Sequence, residues 1–411
     1  DVLPAIVSEP KTGKIPLSFS QERLWFIDQL EGSVQYHMPV VLKLEGALSI
    51  VDLESSFREI ISRHEILRTV IDTEEGKGYQ RVIASENWEL TKVTITAKAL
   101  ESQLSDFISR PFDLSSDYML RMCLYDLGED VYVLCGVFHH ISSDGWSNGI
   151  LVREFTSLYH SFKRGKGSEL AALPIQYSDY AIWQRRYIEG SVLENQLSYW
   201  DATLKGTPPL LLPTDYLRPS IQSTKGSSIS FSFQECLSQD LIRISKEEGV
   251  TLFMLLLGAF KVLLYKYSGQ SDICVGTPIA NRTESASEDL IGFFVNTLAL
   301  RSDLDPETSF SSFLSVLKQT TLSAYEHQET PFEKVVDRVI TTRDMSRSPL
   351  FQVMFELQNN PEAAELSLDS LRLSPYYFEG STSQFDLTFT ASETASGISL
   401  EVEYCTALFK E

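Results

Sequence analysis

The chain has 411 residues, of which 43% are apolar, more than one hydrophobic core usually serves, so two lobes are expected. A net charge of -21 provides no basic stripe for a phosphate backbone and disfavours an anionic membrane surface, which excludes nucleic-acid and membrane-surface binding as primary functions. The five cysteines (Cys123, Cys135, Cys236, Cys274, Cys405) form no CxxC pair, and several lie in apolar runs where a thiol packs as a small hydrophobe, which fits a reducing, cytoplasmic setting.

Taken in order, "VDLESSFREIISRHEIL" places apolar residues at helical spacing, and "LRTVIDTEEGKGYQRVI" reads as two strands joined at Glu75-Gly76. "MLRMCLY" and "VYVLCGVFHH" form a hairpin through Leu127, Gly128, Glu129 and Asp130. Ile150, Leu151, Phe155, Leu158, Tyr159 and Phe162 then mark one face of a helix. A flexible break at Gly165 to Ser168 and the prolines at 208, 209, 213 and 219 bracket a lobe boundary near residue 177, giving lobes of 1-177 and 178-411. In the second half, "TLFMLLLGAFKVLLYKYSG" is a helix with Thr251 as N-cap and Gly269 as C-cap. The segments "DICVGTPIA", "PLFQVMFEL", "QFDLTFTAS" and "ISLEVEYC" follow as strands. The pattern is mixed α/β (α+β). The longest apolar run is interrupted by Lys261 and falls short of the roughly 20 residues a membrane span needs, and no leader-like segment opens the chain. A start without Met and an end inside "EVEYCTALFKE" are what a piece of a longer polypeptide would show.

Of the six histidines, two stand side by side in "FHHISSDGWS", in the loop between a buried strand and a helix. Such a junction projects polar groups from a rigid support and offers free backbone N–H groups to developing negative charge. Strand alternation sends His139 and His140 to opposite sides, so one is expected to face a cleft and the other to be packed. Asp144 cannot stay buried unpaired, and a guanidinium such as Arg68 in "RHEILRT" is expected to hold it. Gly145 allows a backbone angle or a close approach, and its N–H can face a substrate oxygen. No metal is expected: His140 and Asp144 lack a third ligand nearby in sequence. No GxSxG elbow is present, and Ser142 and Ser143 are neighbours of His140 along the chain rather than across a fold, so the nucleophile is expected to arrive with the substrate.

"HHISSDG" matches the HHxxxDG motif, and the chain resembles condensation domains of nonribosomal peptide synthetases. Blocks in the family's order support the resemblance along nearly the whole chain: "LSFSQERLWFIDQL", "RHEILRT", "YSDYAIWQ", "IGFFVNTLALR", "HQETPFE" and "RDMSRSPL". The resemblance implies two chloramphenicol-acetyltransferase-like lobes in a V-shaped pseudo-dimer, with a tunnel past the motif loop. It implies amide bond formation between a donor aminoacyl or peptidyl thioester and an acceptor amine. Both are delivered on phosphopantetheine arms by upstream and downstream peptidyl carrier proteins, with an adenylation domain adjacent and no cofactor bound by the domain itself. As an excised domain it is expected to be monomeric. His140 maps to the functional second histidine, while His139 and Asp144 map to supporting roles. Gly145 N–H is the candidate oxyanion contact, and Ser142, Trp146, Ser147, Asn296 and Arg347 are candidates for substrate or lobe-interface contact. Asn296 is expected to hydrogen-bond across the lobes; Arg301 and Arg347 are expected to pair with carboxylates or to meet a carrier's acidic surface.

Three other readings remain. Epimerisation domains share HHxxxDG but differ in later blocks, whereas "HQETPFE" looks like a condensing domain; cyclisation domains replace the histidines with aspartates. A noncatalytic docking module of the same fold would have a degenerate loop, and a coenzyme A acyltransferase would be a complete chain. The wording "LSFSQERLWFIDQLEG", "DYAIWQRR" and "SRSPLFQVMF" is similar to the subclass taking a D-configured donor.

Overall fold

The structure, a computed structural model, describes residues 4–342, 344–358, 366–368, 371–377, 382–394 and 397–411. The chain divides into two compact units. One comprises residues 1–187, 282–295 and 363–378; the other comprises 188–281, 296–362 and 379–411.

The first unit runs β1 (Ile15–Pro16), α1 (Phe19–Glu31), β2 (His37–Gly46), α2 (Ile50–Arg63), β3 (Thr69–Glu74), β4 (Lys77–Val82), β5 (Thr91–Thr94), α3 (Ala97–Ser109), β6 (Leu120–Asp126), β7 (Val131–His139), α4 (Gly145–Lys163) and α5 (Tyr177–Tyr187). The second continues with α6 (Gly190–Leu204), β8 (Gly226–Ser232), α7 (Glu235–Glu247), α8 (Leu252–Ser268), β9 (Asp272–Ile279), β10 (Asn296–Asp303), α9 (Phe310–Glu326), α10 (Phe332–Val339) and β11 (Val353–Gln358). Then β12 (Leu366–Leu368) and β13 (Leu371–Pro375) return to the first unit, and β14 (Leu387–Thr394) and β15 (Gly397–Cys405) complete the second.

In the first unit a six-stranded sheet has the order β12-β13-β2-β7-β6-β5. Its interior strand β7 is apolar at nearly every position because both faces are covered. Leu134 and Phe138 join α2 and α4 in one core, with Phe57 and Phe155 stacked at 4.9 Å. Val133, Cys135 and Val137 join Leu100 and Leu104 of α3 in the other. Fully burying a Phe138 or Leu134 side chain contributes about 1.5–3 kcal/mol, so the register of β7 is strongly held. That register fixes where His139 points.

The second unit repeats the plan with the sheet β10-β9-β11-β14-β15-β8. The helix α8 is capped as its sequence predicts: Thr251 accepts from the Met254 N–H at 3.2 Å, and Gly269 closes it at φ 70°. Its apolar face packs on Ile273, Val275, Leu300 and Phe355. No single helix among the described residues is long and apolar enough to cross a membrane.

The boundary differs from the one expected at residue 177. The whole of α5 lies in the first unit, where Tyr177 and Tyr180 pack on Phe294 with ring centroids 5.0 and 4.6 Å away, and the chain leaves only after Tyr187. The flexible stretch 165–168 is a surface turn after α4 rather than a hinge between units, and the aromatic residues of "YSDYAIW" belong to the core that it follows.

Candidate active site

The site grows out of the end of β7. His139 is its last residue, opposite His37 of β2, and shares the face of Val133, Cys135 and Val137. It is fully buried, and its ring is satisfied at both nitrogens. The Ile141 N–H donates to Nδ1 at 3.0 Å, so Nε2 carries the proton and donates to Ser33 Oγ at 2.9 Å. Burial, with His37 and His140 nearby, lowers its pKa to about 3, and a cation there would lose the Ile141 bond. His139 therefore holds the loop as a neutral ring. Ser142, also buried, donates to the His139 carbonyl at 2.9 Å and shapes the turn.

His140 begins the 3-10 turn His140–Ser142, so it leaves the sheet altogether rather than merely alternating across it. Its imidazole is half-buried, lies 4.6 Å from the Phe293 ring between centroids, and leaves Nδ1 without a hydrogen-bonding partner. Burial lowers its pKa from 6.5. The backbone of His140 and Ser143 and the Asp144 carboxylate act in the opposite direction, and Arg23 adds to the lowering. At neutral pH the group is a neutral imidazole whose Nδ1 is buried and unpartnered.

Asp144 is the N-cap of α4 and is fully buried. Its Oδ1 accepts from Ser147 N at 3.0 Å and Ser147 Oγ at 2.7 Å, and its Oδ2 accepts from Phe294 N at 3.1 Å. The cation that holds it is Arg282, with Nη2 at 3.0 Å from Oδ1, and not Arg68. Arg68 instead donates to the carbonyls of Ile83 at 2.7 Å and Ser62 at 3.3 Å, fastening the end of α2 to the end of β4. Arg282 stacks on Phe294 at 4.2 Å and also donates to the Leu290 carbonyl at 2.7 Å. It lies 138 residues from Asp144 in an irregular stretch with no local pattern, so no sequence signal pointed to it.

Gly145 opens α4, where a helix leaves its first N–H groups without helical acceptors. Its backbone is not left-handed, and a Cβ there would meet no protein atom within 4 Å. Neither strain nor crowding by the protein requires glycine, which corrects the backbone-angle argument. Trp146 is 43% exposed, with its indole N–H on the Glu288 carbonyl at 3.0 Å, and Ser147 is buried within the Asp144 network.

The remaining candidates all have partners within the chain. Asn296 donates to the Gln328 and Thr330 carbonyls, both at 2.7 Å, and accepts from Phe332 N at 3.1 Å, so these three bonds shape the start of α10. Arg301 forms a two-toothed pair with Asp272 at 2.8 and 2.7 Å. Arg347 pairs with its neighbour Asp344 at 2.9 Å, while Arg343 of the same block lies outside the described residues. Among the described residues no group of three or more His, Cys, Asp or Glu is placed to hold a metal ion.

An HHxxxDG loop at a strand-to-helix junction, on a chain of two α/β units, defines the class of condensation domains. The family described as Condensation domain matches residues 11–411, and the chain belongs to it, as a domain of nonribosomal peptide synthetases. It is 46% identical over 409 residues to a linear gramicidin synthase of Brevibacillus parabrevis, covering 96% of this chain and 8% of that protein. Among solved structures, the X-domain of teicoplanin biosynthesis in complex with OxyB superposes with a TM-score of 0.92 at 26% identity, covering 100% of this chain and 92% of that one. The four-domain nonribosomal peptide synthetase holo-AB3403, bound to AMP and glycine, gives 0.86 at 26% identity, covering 97% of this chain and 32% of that one. This chain thus spans a small part of the synthetases it resembles.

Proposed function

We propose that this domain forms an amide bond between a donor aminoacyl or peptidyl thioester and the amine of an acceptor aminoacyl group, each carried on the phosphopantetheine arm of a peptidyl carrier protein. The observation that carries this reading is the His140 ring, neutral because burial lowers its pKa, with Nδ1 buried and without a hydrogen-bonding partner, one residue past the end of the sheet. The acceptor nitrogen attacks the thioester carbon, the C–N bond forms, the C–S bond breaks, and the thiol leaves with a proton. A thioester is already activated, so the domain must position the amine, move one proton and stabilise one oxyanion. His140 accepts the amine proton, and a group with a lowered pKa is unprotonated and ready at pH 7. The Gly145 N–H meets the oxyanion, while His139, Asp144 and Ser147 hold the loop. The carriers flank the domain in the parent polypeptide beside an adenylation domain, and the donor residue is D-configured.

The test loads two carrier proteins with donor and acceptor and measures the amide product. His140→Ala is expected to lower the rate about 10²- to 10⁴-fold while the protein stays folded. D and L donors compared in the same assay test the stereochemical assignment, with product from the D donor expected. A second reading is noncatalytic docking, favoured by the solved X-domain that stands in complex with OxyB. An absence of product from wild type across several donors and acceptors supports that reading, and racemisation of a loaded residue without coupling indicates an epimerising member.

A further inference from the structure

The stretch Ile291–Phe294 is held by side chains at five of its eight backbone polar groups, the Gly292 carbonyl accepting from Ser147 Oγ at 3.2 Å among them. The Ile291 N–H meets His64 Nδ1 at 3.3 Å, and the Gly292 N–H meets Ser147 Oγ at 3.2 Å. Tyr177 donates its hydroxyl to the Phe293 carbonyl at 2.7 Å, and the Phe294 N–H meets Asp144 Oδ2 at 3.1 Å. These side chains come from the end of α2, from α4 with its cap, and from α5. Several are anchored in turn: His64 Nε2 lies 2.8 Å from Glu154 Oε2, and Tyr177 also meets Ser18 Oγ at 2.9 Å. Gly292 has no alternative, because a Cβ would fall 2.4 Å from a Tyr177 ring carbon. An irregular segment immobilised to this degree has a rigid product, and the side chain it presents to the loop is Phe293, whose ring lies 4.6 Å from that of His140.

We infer that Phe293 is a positioning residue for His140: its ring, held by the clamped backbone behind it, fixes the imidazole's rotamer and keeps water from one side of it. The inference deepens the proposed function, since it assigns a setter to the same imidazole. The reason is geometric. Among the contacts of His140, the Phe293 ring is the aromatic surface beside it, Nδ1 has no hydrogen bond to orient it, and an imidazole held by neither would sample several rotamers. The charged and titratable groups acting on the ring are Asp144, Arg23 and His139. None of them is bonded to Phe293 by its side chain, so changing Phe293 leaves these charges in place. Removing the phenyl ring admits water, and the His140 pKa then rises toward its ordinary 6.5.

The experiment compares wild type with Phe293→Ala, Phe293→Leu and the ring-keeping Phe293→Tyr, using histidine-labelled protein followed by NMR across pH, beside the two-carrier coupling assay. Phe293→Ala is expected to raise the His140 pKa, shift its ring resonances and reduce coupling about 10- to 100-fold through kcat more than KM. Phe293→Leu keeps the apolar cover, so it should preserve folding if the alanine variant does not and still lose rate by freeing the rotamer. Phe293→Tyr should retain both titration and rate. Folded Ala or Leu variants whose His140 resonances, titration and kcat match wild type overturn the inference. Failure of the proposed function looks different: wild type makes no amide, while the NMR response of His140 to the Phe293 series persists.

Discussion

Asp144 in the first unit and Lys261 in the second are both fully buried ionisable groups, and they are satisfied in opposite ways. Asp144 is met by a guanidinium, a hydroxyl and two backbone N–H groups that converge from separate elements on one loop. Lys261, in the apolar face of α8, donates to the Leu300 carbonyl at 2.7 Å and the Ile273 carbonyl at 3.1 Å, with no carboxylate within ion-pairing distance among the described residues. Burial alone lowers its pKa to about 8. The first arrangement fixes the loop that carries an imidazole with an unpartnered nitrogen, whereas the second fastens a helix to a sheet. Buried charge by itself therefore does not mark a site. What distinguishes the two is whether a half-buried group with an unused lone pair stands beside it.

The comparison can be broken most forcefully at Arg282. Arg282→Leu leaves Asp144 buried without its cation and is expected to cost about 3–5 kcal/mol, read from urea unfolding. A loss below 1 kcal/mol would mean the carboxylate is held by its neutral partners alone. Asn296→Ala strips three hydrogen bonds from the start of α10 and should cost about 1–3 kcal/mol, read from urea unfolding. Acid separates the units next. His37 and His139 stay neutral when folded, at about 4 and about 3, while an unfolded chain binds their protons near 6.5. Stability should then fall as pH drops from 6.5 toward 4, by up to about 1.4 kcal/mol per pH unit for each histidine. The smallest effect is expected at Lys261→Met, under about 1.5 kcal/mol at neutral pH because chain volume is kept. Between pH 10.5 and about 8 the unfolded chain takes up a proton that folded Lys261 refuses, so wild type gains stability with rising pH there, and the variant should lose that slope.

Much of the framework was legible in sequence because it rests on local chemistry. The Glu75-Gly76 turn, with φ of 51° and 75°, the β6–β7 hairpin and the Thr251 and Gly269 caps are settled by residues within a few positions of one another. The loop carrying His139, His140 and Asp144 was legible for the same reason, being the end of an apolar run followed by a cap residue. Arg282, Phe293 and the His64–Glu154 pair were not, because their roles exist only after segments 90 to 150 residues apart have met. Arg68 stands in a recognisable block, but chain geometry gives the role of Asp144's partner to Arg282, a residue in none. The boundary at 177 failed for a related reason: glycines mark a turn, and only packing decides to which core the following aromatics belong.

The segment 282–295 belongs to the first unit although it lies between β9 and β10, neighbouring strands of the second. On a ribosome adding roughly 5–20 residues per second, the nascent first unit would wait roughly 5–20 s after Tyr187 has been joined before Arg282 exists to meet Asp144. Through that interval its half-made interior holds an unmatched carboxylate, a natural target for a chaperone. A synonymous codon change that slows translation between residues 188 and 282 would lengthen that exposure without altering a single side chain.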